Sequence, residues 1–435
     1  MKSTLIVGMG ASGQSVARYL LAQGQAFDLA DSRTELPNLA WYQQHAPKAK
    51  SFLGPLSKDL LSGYERLIVS PGLCIQRPPF SELGPEHEII GDIELFAQHL
   101  AQHQQGVPVV AITGSNGKST VTQWVADMAE QAGIQVAVGG NLGLPALDLL
   151  GDQVGIYVLE LSSFQLETTH SLKARAATIL NVSPDHLDRY ASYQAYIDCK
   201  KGLWSMAAQA IVNLDDPSTW PEEKAPTISF SLYQAANWQL MAGQLCHQQQ
   251  PVMASSELAL PGEHNIANAL AAAALADALG VPHQAIVQSW RTYQGLQHRC
   301  QWVAERKGAQ WFNDSKGTNV GATLAAVQGL SPEGRLILLA GGDGKGADFF
   351  DLLPALASKR GLLLAYGQDA GKLCAQLQSL PHFLFEDLDQ AVAKAYELAQ
   401  PGDLVLLSPA CASLDQFTNY QQRGLHFCRL VEGLS

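Results

Sequence analysis

Gly114, Ser115, Asn116, Gly117, Lys118, Ser119 and Thr120 form the stretch "GSNGKST", which follows the apolar run "VPVVAIT". These residue types in this order can hold a phosphate. Backbone N–H groups of a glycine turn and of the next helix point at the anion, a lysine neutralises its oxygens, and a hydroxyl ligates Mg²⁺. The loop is shorter than the standard G-x-x-x-x-G-K-[ST] pattern, since only Ser115 and Asn116 separate Gly114 from Gly117. Strand, spacing, Lys-Ser pair and a helix expected from about Thr120 nevertheless agree on a nucleotide site.

Other groups are spaced for related chemistry. "GMGASG" (Gly8, Gly10, Gly13) follows the first apolar run, and "FDLADSR" puts Asp31 at the end of the next. Taken alone this is a dinucleotide fingerprint, with Asp31 on a ribose hydroxyl. The residues leave three readings open: the diphosphate of another nucleotide, a nicotinamide or flavin cofactor, or a structural turn. Glu160 in "YVLELSS" ends an apolar strand, the edge where parallel sheets bind ligands, and His186 in "NVSPDHLDRY" follows another. Both are candidate metal ligands beside the phosphates, although Mg²⁺ prefers oxygen. The alternative is a buried Glu–His pair that satisfies itself. "HRCQW", "FNDSKGTN", "GGDGKGADF" and "SPACASLDQF" gather Arg299, Asp314, Lys316, Lys345 and Ser413 in turns near the C-terminus.

The elements that must position these residues are short runs of Ile, Val and Leu ending in turn residues, such as "TLIVG", "RLIVSPG", "IYVLELSS" and "DLVLLSPA". Helical stretches such as "SVARYLLAQG" lie between them. Continuous apolar strands alternating with helices indicate α/β architecture with parallel sheets covered on both faces. Three blocks are expected: 1–93, 94–296 and 297–435. "CHQQQP" reads as a polar turn with no case for metal binding.

Composition bounds the function. A chain of 435 residues exceeds one ordinary core. A net charge of −12 argues against a broad nucleic-acid or anionic-membrane surface. No run approaches the length of a membrane span, and the first apolar run is too short for a signal peptide, so a cytoplasmic location is expected. The seven cysteines include no C-x-x-C pair, which suggests neither a disulfide framework nor a thiolate zinc site. Cys411 alone sits in a turn context suggestive of chemistry.

In order along the chain, "GSNGKST", "GGNLGLPAL", "LELSSFQLE", "NVSPDHLDRY", "GEHNIANALAA", "NDSKGTN", "GGDGKGADF" and "SPACASLDQF" closely resemble the Mur ligases, whose short phosphate loop this is. The resemblance implies an N-terminal Rossmann-like domain for a UDP-sugar, a central phosphate-loop ATPase domain with a mostly parallel sheet, and a C-terminal Rossmann-like domain that binds the amino acid and closes the site. It places Ala11, Ser12, Asp31, Ser32, Arg33 and Gly72 on the uridine diphosphate portion, with Asn141 and His186 reaching the same substrate. It assigns Lys118 to the ATP phosphates, Ser119 and Glu160 to one Mg²⁺, and Asn268, Arg299 and Asp314 to the nucleotide. A second Mg²⁺ would use Glu160, His186 and a carbamylated lysine at Lys200 of "YIDCKKG". Thr318, Lys345, Ser413 and Tyr420 would face the amino acid. Two departures stand out: Gln301 where Glu is common, and Tyr420 where Phe is frequent.

"SSFQLE" with "SPACASLDQF" favours the D-glutamate-adding branch. The resemblance then implies an ATP- and Mg²⁺-dependent ligase acting on UDP-N-acetylmuramoyl-L-alanine and D-glutamate; a monomer is expected. The carboxylate would take the γ-phosphoryl group, and the amine would attack the acyl phosphate, with Lys118 and Lys316 stabilising charge. Other ligases of the family, including the folate polyglutamating type, a dinucleotide-dependent oxidoreductase and a regulatory ATP-binding module are the alternatives.

Overall fold

A computed structural model describes residues 3–36, 38–185, 189–222, 227–330 and 332–434. Three sheets organise them. The first has five parallel strands in spatial order Ser51–Leu53, Asp28–Asp31, Thr4–Val7, Arg66–Val69 and Glu88–Ile90. The second has nine: Gln250–Ala254, Gln244–His247, Trp238–Met241, Thr227–Ser231, Ala210–Asn213, Ala176–Ile179, Val109–Thr113, Ile156–Glu160 and Val136–Gly140. The third has six: Gln301–Arg306, Ala309–Asn313, Leu404–Leu407, Leu336–Gly341, Leu362–Tyr366 and His382–Phe385. Antiparallel pairing is confined to one end of the second sheet and to the first strand of the third.

The apolar runs are the buried parallel strands, as their composition requires. Val109–Thr113 and Leu336–Gly341 are buried at every position, because helices cover both faces of such sheets. Along Leu336–Gly341 the faces alternate: Leu336, Leu338 and Ala340 join one apolar cluster, Ile337 and Leu339 the other.

The segment "CHQQQP" is not simply a turn. Cys246 and His247 end one strand, Gln250 and Pro251 begin the next, and only Gln248 and Gln249 turn, at φ 48° and 67°. Positive φ at both central residues is the two-residue hairpin geometry that matches strand twist.

The chain divides into two compact units, Met1–Leu258 with Ala267–Tyr293, and Ala259–Ile266 with Gln294–Ser435. The first two sheets thus share one unit. One apolar core runs from Ile6, Val16 and Leu20 through Ile93 and Phe96 to Val109, Ala111 and Tyr157. Polar contacts reinforce it: Glu94 accepts from the Ser171 N–H (2.8 Å) and hydroxyl (2.6 Å), and Arg189 donates to Glu167 (2.7 Å) and to the Leu73 carbonyl (2.9 Å). Among the described residues no helix is long and apolar enough to cross a membrane.

The first glycine loop is built by close approach. A Cβ on Gly13 would lie 2.0 Å from the Gly8 carbonyl oxygen, whereas one on Gly10 meets nothing within 4 Å. Gly13→Ala must therefore push the helix Ala11–Ala22 off its strand and should cost about 1–3 kcal/mol. Gly10→Ala should leave stability within about 0.5 kcal/mol. Denaturant unfolding of the two variants checks this, and equal midpoints would contradict it.

Candidate active site

The phosphate loop lies between the strand Val109–Thr113 and the helix Lys118–Gln131, which begins two residues earlier than its sequence suggests. Gly117 precedes that helix at φ 82°, and a Cβ there would stand 2.5 Å from Asn268 Oδ1. The left-handed backbone favours glycine, and a side chain there would also have to displace the Asn268 amide. The loop is laced to the next strand end: Ser115 N–H donates to the Asn181 carbonyl (2.8 Å) and Asn116 N–H to Asn181 Oδ1 (2.8 Å). Thr120 is buried in the first helical turn.

Charge converges on this loop. Lys118 Nζ donates to the carbonyls of Gly114 (2.8 Å) and Ser115 (2.9 Å). Lys200, almost fully buried, donates to the same Gly114 carbonyl (3.0 Å) and to Thr113 Oγ1 (3.3 Å), with its Nζ 4.7 Å from the centre of the Tyr196 ring. Burial, reinforced by the Lys118 charge, pulls the Lys200 amine down to about 7. Glu160, at its strand's carboxyl end, accepts from the Ser119 hydroxyl and from Asn141 Nδ2 (2.6 Å). Hydroxyl and carboxylate oxygens at a helix N-terminus are the donor set that suits Mg²⁺ beside a phosphate. His186 lies outside the described residues.

The first loop is also preorganised. Asp31 accepts from Met9 N–H (2.7 Å), Arg33 N–H (3.0 Å) and the Arg33 guanidinium (both bonds 2.9 Å). Burial would raise its carboxyl, but the Arg33 and Met9 donors outweigh burial and hold it at about 2. Its oxygens thus brace the loop carrying Ala11 and Ser12, while Arg33 stays half exposed beside Ser32. Ser70, two residues before Gly72, donates to the Gly8 carbonyl (2.8 Å) and so sets the "SPG" turn against this loop.

In the second unit, Asp314 is buried and accepts from Ser408 Oγ (2.6 Å) and Cys300 N–H (3.2 Å). Burial lifts its carboxyl to about 6 against those donors and the Arg299 and Arg423 charges. Gln301 Oε1 accepts from His298 N–H (3.0 Å), an amide oxygen doing what a carboxylate could. Lys316 Nζ lies 4.2 Å from the centre of the Tyr420 ring, so Tyr420 supplies a ring face that Phe would also supply. Thr318 N–H donates to the Lys316 carbonyl (2.7 Å). Lys345 is exposed, at φ 49°, and its loop is tied to that of Ser413 by the Asp343–Ala412 bonds (3.1 and 2.8 Å). Cys411 is buried, and burial pushes its thiol up to about 12, which makes it inert. All seven cysteines are free.

Fold and site together define an α/β protein whose mostly parallel second sheet carries a phosphate-loop-type glycine turn at its carboxyl edge. Three family models match: Mur ligase MurD-like, N-terminal domain, at residues 2–91; Mur ligase middle domain at 112–276; and Mur ligase, glutamate ligase domain at 298–411. UDP-N-acetylmuramoylalanine–D-glutamate ligases of Pseudomonas putida and Alcanivorax borkumensis are 45% and 46% identical to this chain, each over 99% of it and 97% and 98% of their own lengths. Among solved structures, a pseudomurein peptide ligase type C from Methanothermus fervidus shares the fold at TM-score 0.64 and 18% identity, covering 99% of both chains. The UDP-N-acetylmuramate-alanine ligase of Thermotoga maritima does so at 0.61 and 16%, also covering 99% of both. The chain belongs to the Mur ligase family.

Sequence reasoning missed Arg423, the buried cation of the second unit. Its guanidinium donates to Ser315 Oγ (3.0 Å), the Ser315 carbonyl (2.8 Å) and the Cys411 carbonyl (3.2 Å), joining the loops that carry Lys316 and Ser413. One Arg in a helix gives no local signal of such a role. Arg423→Lys keeps the charge but not the fork and should leave a buried acceptor unpaired, costing about 1–3 kcal/mol. Thermal unfolding measures this; an unchanged midpoint would remove Arg423 from the framework.

Proposed function

We propose that this protein is an ATP-dependent ligase that joins D-glutamate to UDP-N-acetylmuramoyl-L-alanine in the synthesis of cytoplasmic peptidoglycan precursors. The phosphate loop with its Ser119–Glu160 pair carries the reading of ATP use. The activity for which relatives about 45% identical over nearly the whole chain are named supports the choice of substrates. Segments 1–93, 94–296 and 297–435 would hold the nucleotide sugar, ATP and the amino acid respectively.

An amine cannot displace oxide from a carboxylate at neutral pH. A carboxylate oxygen of the alanyl substrate therefore attacks the γ-phosphorus, the bond to ADP breaks, and an acyl phosphate forms. The D-glutamate nitrogen then attacks the carbonyl carbon, phosphate leaves and the amine loses a proton. Lys118 would meet the γ-phosphoryl oxygens in place of its loop carbonyls, and Lys316 would meet the developing negative charge. Asn268, Arg299 and Asp314 would each contribute to holding the nucleotide. Asp31, Ser32 and Arg33 would hold the uridine diphosphate, together with the loop of Ala11 and Ser12 and the turn at Gly72, while Asn141 and His186 reach the same substrate. Two Mg²⁺ ions, held by Ser119, Glu160, His186 and Lys200 as its carbamate, would supply charge neutralisation when bound. Thr318, Lys345, Ser413 and Tyr420 would face D-glutamate. Phosphate release with UDP-N-acetylmuramoyl-L-alanine and a panel of D- and L-amino acids tests the whole reading. Turnover with another amino acid would favour a different ligase of the family.

An ammonium repels Mg²⁺, so Lys200 serves as a ligand only after its free amine adds CO₂ and releases a proton. A lysine held near 7 has that free amine at neutral pH, unlike exposed lysines at about 10.4. Protein equilibrated with ¹³C-bicarbonate should show a carbamate NMR signal that grows as pH rises through about 7 and is absent in Lys200→Ala. A signal indifferent to that substitution would exclude the assignment.

D-Glutamate carries a side-chain carboxylate that a selective site must meet with donors. Lys345→Ala should weaken apparent D-glutamate binding roughly 10- to 100-fold, the loss of a charge-assisted hydrogen bond, with ATP dependence retained. Equal losses for both substrates would move Lys345 out of the acceptor pocket.

A further inference from the structure

His247, Asp277 and His283 converge from three elements: the end of a hairpin strand, the last turn of the helix Glu263–Ala278, and the first turn of the helix His283–Thr292. Their ligand atoms all lie within 4.8 Å of one another. Asp277 offers one oxygen to each ring, 3.6 Å from His247 Nε2 and 3.4 Å from His283 Nε2. Both contacts exceed the 2.7–3.2 Å range of a closed N–H···O hydrogen bond, so the carboxylate faces both rings at ion-pair distance without closing a short hydrogen bond to either. Ligands of a tetrahedral zinc ion sit about 3.3 Å apart, given its bonds of about 2.0–2.2 Å. The triad needs little movement to reach that spacing.

We propose that these three residues bind a divalent transition metal ion of the zinc class. Two imidazole nitrogens and one carboxylate select Zn²⁺, Co²⁺ or Ni²⁺ over Mg²⁺ and Ca²⁺, which require oxygen. Packing fixes the two rings in place, since fully buried Trp238 stacks on His247 (4.4 Å between centroids, 20°) and meets His283 edge-on at 5.3 Å. Burial holds His247 below its ordinary value, against the Asp277 charge and with help from His283, which favours the unprotonated ring that ligates. His283 is half exposed, which gives an ion access. "CHQQQP" by itself makes no case for metal binding, because the partners of His247 come from distant sequence. Asp277 lies nine residues after Asn268 on one helix, roughly 13 Å along its axis. The ion would therefore fasten the hairpin to the far end of the helix that packs on the phosphate loop, and this site stands whatever the amino-acid substrate.

The test uses the full-length, untagged chain, stripped with a chelator and kept in excess Mg²⁺ so that oxygen sites are filled. Co²⁺ titration should give one equivalent with the intense visible absorption of a tetrahedral nitrogen–oxygen site. Zn²⁺ should displace it and raise the unfolding temperature. Asp277→Asn and His283→Ala, both at accessible side chains, should each weaken binding at least about ten-fold with unchanged circular dichroism. Absence of a tetrahedral spectrum would overturn the proposal. So would binding that survives His283→Ala but is lost in His99→Ala/His103→Ala, another adjacent imidazole pair among the described residues, whose rings lie 4.7 Å apart.

Discussion

The Gly114 carbonyl oxygen accepts hydrogen bonds from two lysine ammonium groups, Lys118 and Lys200. Two cations on one neutral acceptor, with Lys200 buried, is a costly arrangement unless an anion arrives or one amine gives up its proton. That constraint explains much of what surrounds it. Gly117 must be left-handed so that the helix N-terminus turns its N–H groups into the same space. Glu160 must be held by Ser119 and Asn141, so that its charge stays at the strand end instead of closing on the lysines. The loop thus gathers positive charge and N–H groups in one fixed place, the kind of electrostatic preorganisation that suits a polyanion.

A preorganised loop needs a rigid support, and the first unit supplies it with one core shared by two sheets. The buried Arg189–Glu167 pair adds direction more than stability, since desolvation offsets most of a buried pair's attraction. Its second donation, to the Leu73 carbonyl, fixes the turn after Ser70 and Gly72 relative to Glu167, seven residues beyond the strand end at Glu160. Glu94 ties the helix Asp92–His103 to the stretch after Glu167 by bonding Ser171.

Legibility in the sequence follows range. The apolar runs "VVAIT" and "LILLAG" announce buried parallel strands because each residue carries the signal itself. "GSNGKST" is readable because the strand, turn, lysine and helix are contiguous. Its helix starts two residues before the expected position because a left-handed Gly117 lets the helix begin at once. Asp31 is legible as a functional position, but its bonding to Met9 and Arg33 is not, since the spacing alone leaves its oxygens free for a ribose. Arg423 and Ser315 are joined across more than a hundred residues, and His247 meets Asp277 and His283 only through the hairpin's pairing. No periodicity marks such contacts.

Cross-linking in the second unit governs how substitutions there should be interpreted. Ser408 bonds both Asp314 and Thr323, Thr323 accepts from Ala410 N–H, and Cys411 accepts from Arg423, which also holds Ser315. These residues form one buried network, so changes within it are coupled, and a loss of activity after replacing Asp314 or Arg423 mixes chemistry with stability. Lys345 and Tyr420 stand at its margin: the Lys345 side chain is exposed and the Tyr420 ring faces Lys316. Side-chain changes at those two positions leave the buried bonds in place. They are therefore the positions where lost function, measured at constant unfolding midpoint, reports on ligand contact instead of on the frame that holds it.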